Sequence, residues 1–250
     1  MGASADNLNI IADLHRRGLL PSRGAIADLG CTQLRDATPD DLRRFFARFA
    51  NIADAELVRL ATQDLFLCEH LKAAGFSYRS FDIVKAPDSS YLDLNRDRVP
   101  ARWRGKFDLV LNFGTTEHVL NQFNAMTVLH DLAKPGGLIY SLFIRGGHME
   151  HGLLHYSDGF VDQLCRANRY ETILRDDLND RGQECTWIVM RKASASGFKP
   201  PIDVEQRIDL PKLRLRAQLR LPPRDLLHLL RFHLRPRTRL RALVHRLVGR

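Results

Sequence analysis

Apolar residues along this chain keep two periods, and the alternation between them lays out the fold. Leu8, Ile11 and Leu14, with Ile10 beside them, stand at helical spacing and predict an amphipathic helix over 7–17, stopped by Gly18. The run Gly24 to Gly30 (GAIADLG) is short and apolar, as a strand buried on both faces would be. Thr38-Pro39-Asp40-Asp41 then has the chemistry of a helix start, with a capping hydroxyl, an early proline and two acids at the positive end of the dipole. Phe45, Phe46 and Phe49 give that helix its apolar face, and a second helix is expected over 55–74, ending at Gly75. Further strands are predicted at 78–83 and 107–113, with a short one before Asp93. A helix over 121–133, the turn Lys134-Pro135-Gly136-Gly137 and a strand over 138–144 follow. Ser157 is expected to cap a helix running to Ala167, and strands near 171–174 and 186–190 close the pattern.

Strands alternating with helices imply an α/β fold, a doubly wound and mainly parallel sheet covered on both faces. Ligands of such sheets sit beyond the carboxyl ends of the strands, where strand order reverses. The loops after Asp28, Phe81, Leu92, Asn112 and Ile144 are therefore where chemistry is expected.

Charge divides the chain in two. Residues 1–200 hold 25 basic and 25 acidic side chains, so the whole net charge of +9 comes from 201–250, with 13 basic against 4 acidic. Six of the eleven prolines lie between Pro200 and Pro236. This predicts an α/β domain over 1–195 and, over 196–250, a proline-containing linker with an appended basic C-terminal tail. The four cysteines (Cys31, Cys68, Cys165, Cys185) form no CxxC pair, which favours free thiols. The first residues have neither the basic start nor the apolar stretch of a secretory signal, and no apolar run reaches the roughly 18 residues of a membrane span. A cytoplasmic location is the resulting expectation.

Several marks fall at successive strand ends: AIADLGC, SFDI, LDLN, FDLVLNFGTTEHV and the KPGG turn before an apolar strand. In that order they resemble class I S-adenosylmethionine-dependent methyltransferases, over about residues 24–192. The resemblance implies a Rossmann-like domain with S-adenosyl-L-methionine as cofactor. It also implies a cofactor surface made of Asp28, Gly30, Cys31, Asp82, Ile83, Asp93, Leu94, Asn112 and Gly114. Asp28 and Gly30 would lie at the amino-acid moiety, Asp82 at the ribose hydroxyls, Asp93 at the adenine amino group, and Asn112 and Gly114 under the methionine portion. Two departures stand out. The first loop, Gly30-Cys31-Thr32-Gln33-Leu34, lacks the further glycines usual there. In addition, 54 positions separate Asp28 from Asp82, an insertion that holds the phenylalanine-rich helix; core filling and a place near the site mouth are both open for it.

The loop after the fifth expected strand, GGHMEHGLLHYS, carries His148, Glu150, His151 and His155, while Glu117 and His118 follow the strand over 107–113. Both loops belong to the same end of the sheet. A hydroxyl acceptor must lose its proton during methyl transfer, and histidine titrates near working pH. Three readings stand for the cluster: a polar wall of the acceptor pocket, a general base among His118, His148, His151 and His155 (with His151 preferred), or a metal site. The spacing matches no strong ligand motif, so no metal is expected. The catalytic candidates are His151, His118 and Glu117.

Beyond Pro236, Leu240, Leu243, Val244, Leu247 and Val248 form a helical stripe among arginines. Such a segment suits the anionic inner face of a membrane or a packing surface; nucleic acid ranks behind, because no aromatic residues interleave for stacking. The expected activity is methyl transfer to a small-molecule or glycan-type acceptor on oxygen. An RNA methyltransferase and a degenerate methyltransferase-fold scaffold are the alternatives.

Overall fold

The computed structural model describes residues 2–49, 52–61, 66–147, 151–180 and 183–201. The expected linker and basic tail, apart from residues 196–201, lie outside the described residues, as do His148 and Glu150. Among the described residues, no helix is long and apolar enough to cross a membrane.

The described residues build one sheet from β1 (Ala25–Leu29), β2 (Ser77–Asp82), β3 (Ser89–Tyr91), β4 (Phe107–Phe113), β5 (Ala133–Gly146), β6 (Glu171–Asp180) and β7 (Gln183–Arg191). Their order across the sheet is β3-β2-β1-β4-β5-β7-β6. The pairs among β3, β2, β1, β4 and β5 are parallel, whereas β7 runs antiparallel to both β5 and β6. The sheet is thus mainly parallel, as the alternating pattern implies. Strand order reverses at β1, whose neighbours β2 and β4 lead away in opposite directions, so a crevice opens beyond β1 and β4.

Side-chain alternation along β4 sorts the core into two layers. Leu109, Leu111 and Phe113 pack with residues of α1 (Ala5–Arg16), α2 (Pro39–Phe46), α3 (Asp54–Ala61) and α4 (Leu67–Ala73). Val110 faces the other way and joins α5 (Gln122–Leu132) and α6 (Phe160–Asn168). One buried hydrogen bond, from Asn7 Nδ2 to the Tyr140 hydroxyl at 2.8 Å, fixes α1 to the centre of the sheet.

Thr38 caps α2 as its chemistry suggests: its hydroxyl accepts from the Asp41 N–H, and the Asp41 carboxylate accepts from the Thr38 N–H. Phe45 and Phe46 are buried and Phe49 packs beside them against Phe76, which makes the inserted helix core filling. Three expectations need correction. The helix expected over 55–74 is two helices, α3 and α4, with residues 62–65 between them outside the description. Ser157 does not cap α6; its carbonyl accepts from Phe160, and Gly159 holds the cap position. Lys134 to Gly137 lies within β5, where the register with β4 shifts and Gly136 adopts φ +80°. The body also extends past residue 195: Ser196 O accepts from His130 Nε2, and Asn168 exchanges hydrogen bonds with the Lys199 backbone.

The irregular start of β5 leaves no room for a side chain at Gly137, where a Cβ would stand 2.9 Å from the carbonyl oxygens of both Lys134 and Phe107. Backbone must shift to admit it, so Gly137→Ala is expected to cost about 1–3 kcal/mol. Urea unfolding should show this as a lowered midpoint at unchanged slope; an unchanged midpoint would contradict the packing described.

Candidate active site

The first three residues of the loop leaving β1 are each tied down. Gly30, at φ +86°, donates its N–H to Phe81 O at 2.9 Å, and Cys31 donates its N–H to Asp82 Oδ2 at 3.0 Å. Thr32 donates both its N–H and its hydroxyl to the Asp28 carboxylate, at 3.1 and 3.0 Å. The Tyr78 hydroxyl donates to the same carboxylate at 2.5 Å. Asp28 has no solvent exposure, and burial pushes its pKa up to about 7 against the pull of these hydrogen bonds. Its carboxylate therefore shapes the loop and acts on a ligand only through it. Gly30 is required by its neighbour as well as by its φ: a Cβ there would collide with the hydroxyl of Thr115, which donates to Leu29 O at 2.6 Å.

At the end of β2, Asp82 accepts from Cys31 N and from Val84 N at 3.0 Å each. A carboxylate offers about four lone-pair sites, so two remain for hydroxyl donors. Beside it, Ile83, Val84 and Tyr91 stand exposed at 62%, 63% and 66%, an apolar surface of the kind a flat heteroaromatic ring would cover. Acceptor capacity next to exposed apolar area suits a nucleoside. Asp93 is held by Asn95 N and Arg96 Nε, both at 2.8 Å, and the Asn95 N–H, with Arg96 after it, keeps its pKa below the usual carboxylate range. The Leu94 side chain does not face this surface; it is buried in the core with Leu92 and Val99, and its carbonyl accepts from Asn124. The Asn112 side chain is also spent internally, on Thr116 N and Thr116 Oγ1, where it shapes the turn through Gly114 (φ +85°).

That turn leads into a 3-10 helix over Thr116–His118. Leu153 and Leu154 donate their N–H groups to Glu117 O, which seats the loop after β5 on this helix. Gly152, at φ +80°, allows the close approach, since a Cβ there would lie 3.0 Å from the Glu117 side chain. As a result His118 Nε2 and His151 Nε2 stand 3.2 Å apart, with ring planes at 87°. Neither oxygen of the fully buried Glu117 carboxylate has a hydrogen-bond partner among the described residues, and burial raises its pKa. Partial burial of its ring lowers the pKa of His118. One ligand atom from each of Glu117, His118 and His151 lies within 4.8 Å of the other two. The structure thus joins the three catalytic candidates. His155 is exposed and stands outside this trio.

Several supporting residues escape the sequence reading. Tyr156 donates to Thr116 Oγ1 or Gln122 Oε1, each at 2.8 Å, and Gln122 Nε2 donates to Thr116 O at 2.6 Å. Tyr78, Thr32, Thr115 and Gly152 complete the scaffold. Of these, Gly152 and Thr115 carried a signal, one as a glycine inside a histidine loop and the other as a hydroxyl beside Gly114.

A family model described as a methyltransferase domain matches residues 12–183. No curated protein matches the chain by sequence. Among solved structures, the chain is similar to the Burkholderia thailandensis 1,6-didemethyltoxoflavin-N1-methyltransferase, solved with 1,6-didemethyltoxoflavin and S-adenosylhomocysteine. The TM-score is 0.48 at 12% identity, covering 76% of this chain and 78% of that one. A SAM-dependent methyltransferase from Methanosarcina mazei gives a TM-score of 0.45 at 12% identity, over 71% of this chain and 96% of that one. TehB from Haemophilus influenzae gives 0.44 at 9%, over 72% and 61%.

Asp28 makes the fold sensitive to pH in a defined direction. Unfolded, its carboxyl ionises near 3.8; folded, it holds its proton up to about 7. Between those values the native state binds more protons, so this contribution to stability falls as pH climbs from about 4 to about 7. Thermal unfolding of wild type and Asp28→Asn across that range should give curves whose difference slopes accordingly; parallel curves would show that Asp28 ionises normally.

Proposed function

The chain belongs to the class I S-adenosylmethionine-dependent methyltransferases, and on that premise we propose that its acceptor is a small-molecule or glycan-type hydroxyl. The observation that carries this reading is the His118–His151 pair, 3.2 Å apart beside Glu117, on the loops that leave β4 and β5, next to the switch point between β1 and β4. S-adenosylmethionine, when bound, supplies an electrophilic methyl group whose S–C bond breaks as the acceptor O–C bond forms. Asp82 would hold its ribose hydroxyls, Ile83 would cover its base, and the loop Gly30 to Thr32 would carry the amino-acid end.

The chain's own contribution is alignment and proton removal. Two facing imidazole nitrogens at 3.2 Å cannot both carry protons without repulsion, so at least one is unprotonated, and an acceptor hydroxyl that displaces the other ring from it meets a base. A hydroxyl placed there gives its proton to His151 as its oxygen takes the methyl group. The buried Glu117 stabilises the cation that results. The basic residues that suggest an RNA acceptor lie outside the described residues.

The test is an acceptor screen with S-adenosylmethionine carrying a labelled methyl group, reading ether products by mass. His151→Ala should lower turnover roughly 10²–10⁴-fold while S-adenosylhomocysteine binding stays as in wild type. Methyl groups found only on nitrogen or carbon, or a His151→Ala variant with full turnover, would refute this reading.

A further inference from the structure

We propose that Glu117, His118 and His151 form a binding site for a divalent transition-metal ion. Three independent features converge on it. First, the His118 and His151 Nε2 atoms are 3.2 Å apart. Two nitrogens bound to one zinc-sized ion at about 2.0–2.1 Å and a tetrahedral angle would be separated by about 3.3 Å. The pair therefore already has the spacing of two ligands of one ion.

Second, the Glu117 carboxylate is fully buried with both oxygens lacking partners among the described residues, and one of them lies within 4.8 Å of the two nitrogens. Burying a carboxylate without compensation is costly, and a cation beside it is the compensation this geometry offers. Third, the backbone is arranged to keep the trio together. Leu153 and Leu154 bond to Glu117 O, and Gly152 omits the side chain that would push His151 away from Glu117.

Two imidazoles and one carboxylate favour zinc, cobalt or iron(II) over magnesium or calcium, and they leave coordination positions open for water or an acceptor. The ligands come from two loops 33 residues apart, so no compact sequence motif announces them. The consequence for catalysis rests on the methyl-transfer reading, whereas metal binding does not. With an ion bound, an acceptor hydroxyl at an open position would be acidified by it and lose its proton to solvent; with no ion bound, His151 takes that proton.

The experiment uses the untagged full chain, stripped with chelator, with zinc titrated by calorimetry and cobalt(II) followed by visible absorption. Expected are one site of micromolar or tighter affinity and a cobalt spectrum of nitrogen and oxygen ligation without thiolate charge transfer. Glu117→Gln, His118→Ala and His151→Ala should each weaken zinc at least about tenfold, since loss even of outer-shell partners costs that much. His155→Ala should not. Circular dichroism establishes that each variant is folded, and the wild-type cobalt spectrum needs no variant at all. No zinc or cobalt uptake by folded wild type, thiolate bands, or binding that survives all three substitutions would overturn the proposal. S-adenosylhomocysteine binding, measured on the same samples, separates the two readings. Metal uptake without it leaves the metal site standing and removes the methyl-transfer reading; the reverse result removes the metal site alone.

Discussion

A single buried carboxylate organises the end of the sheet where the chemistry lies. Asp28 accepts three hydrogen bonds, from Thr32 N, Thr32 Oγ1 and the Tyr78 hydroxyl, and has no contact with solvent. Those bonds turn the chain sharply after β1 and hold Cys31 where its N–H reaches Asp82. From Asp82 the linkage passes to the β2 loop through Val84 N, while Thr115 binds the β4 loop back to Leu29 O. Three loops from three parallel strands are thereby locked to one another. Hydrogen bonds to the Asp28 and Asp82 carboxylates hold this glycine-poor loop in place.

The second half of the site is built on the neighbouring pair of strands by backbone contacts. Glu117 O receives two N–H groups from the loop after β5, and Tyr156 N returns to Ile144 O at 2.7 Å. Tyr156 then reaches Thr116 and Gln122 beneath the 3-10 helix. Histidines on separate loops are in this way brought within hydrogen-bond distance. The Asp82 carboxylate and the exposed Ile83 lie toward β2 and the histidine pair toward β5, on either side of the crevice beyond β1 and β4.

Much of this was legible in the sequence where local rules decide the outcome. The apolar run over 107–113 became a strand with those bounds, and Thr38 with Asp41 formed the expected cap, because burial and capping are encoded within a few residues. The strand-end positions of Asp28, Asp82 and Asn112 followed from the alternation of elements. What failed depended on distant partners. Nothing near Asp28 reveals that Tyr78, 50 positions away, will occupy its carboxylate, and nothing near Leu94 shows that its side chain turns into the core. The Lys134 to Gly137 segment has the sequence of a plain turn, but its pairing with β4 is set across the sheet. The meeting of His118 with His151 likewise depends on how one loop settles on another.

If the interlocked loops form the surface for a methyl donor, Asp82 is its ribose acceptor. Isothermal calorimetry of S-adenosylhomocysteine with the full chain and with Asp82→Ala tests it most directly. One-to-one binding by wild type, weakened by about tenfold or more in the variant as loss of a charged hydrogen-bond acceptor requires, is the expected result. Folded wild type that takes up no ligand at millimolar concentration, or an Asp82→Ala variant that binds as wild type does, would contradict it.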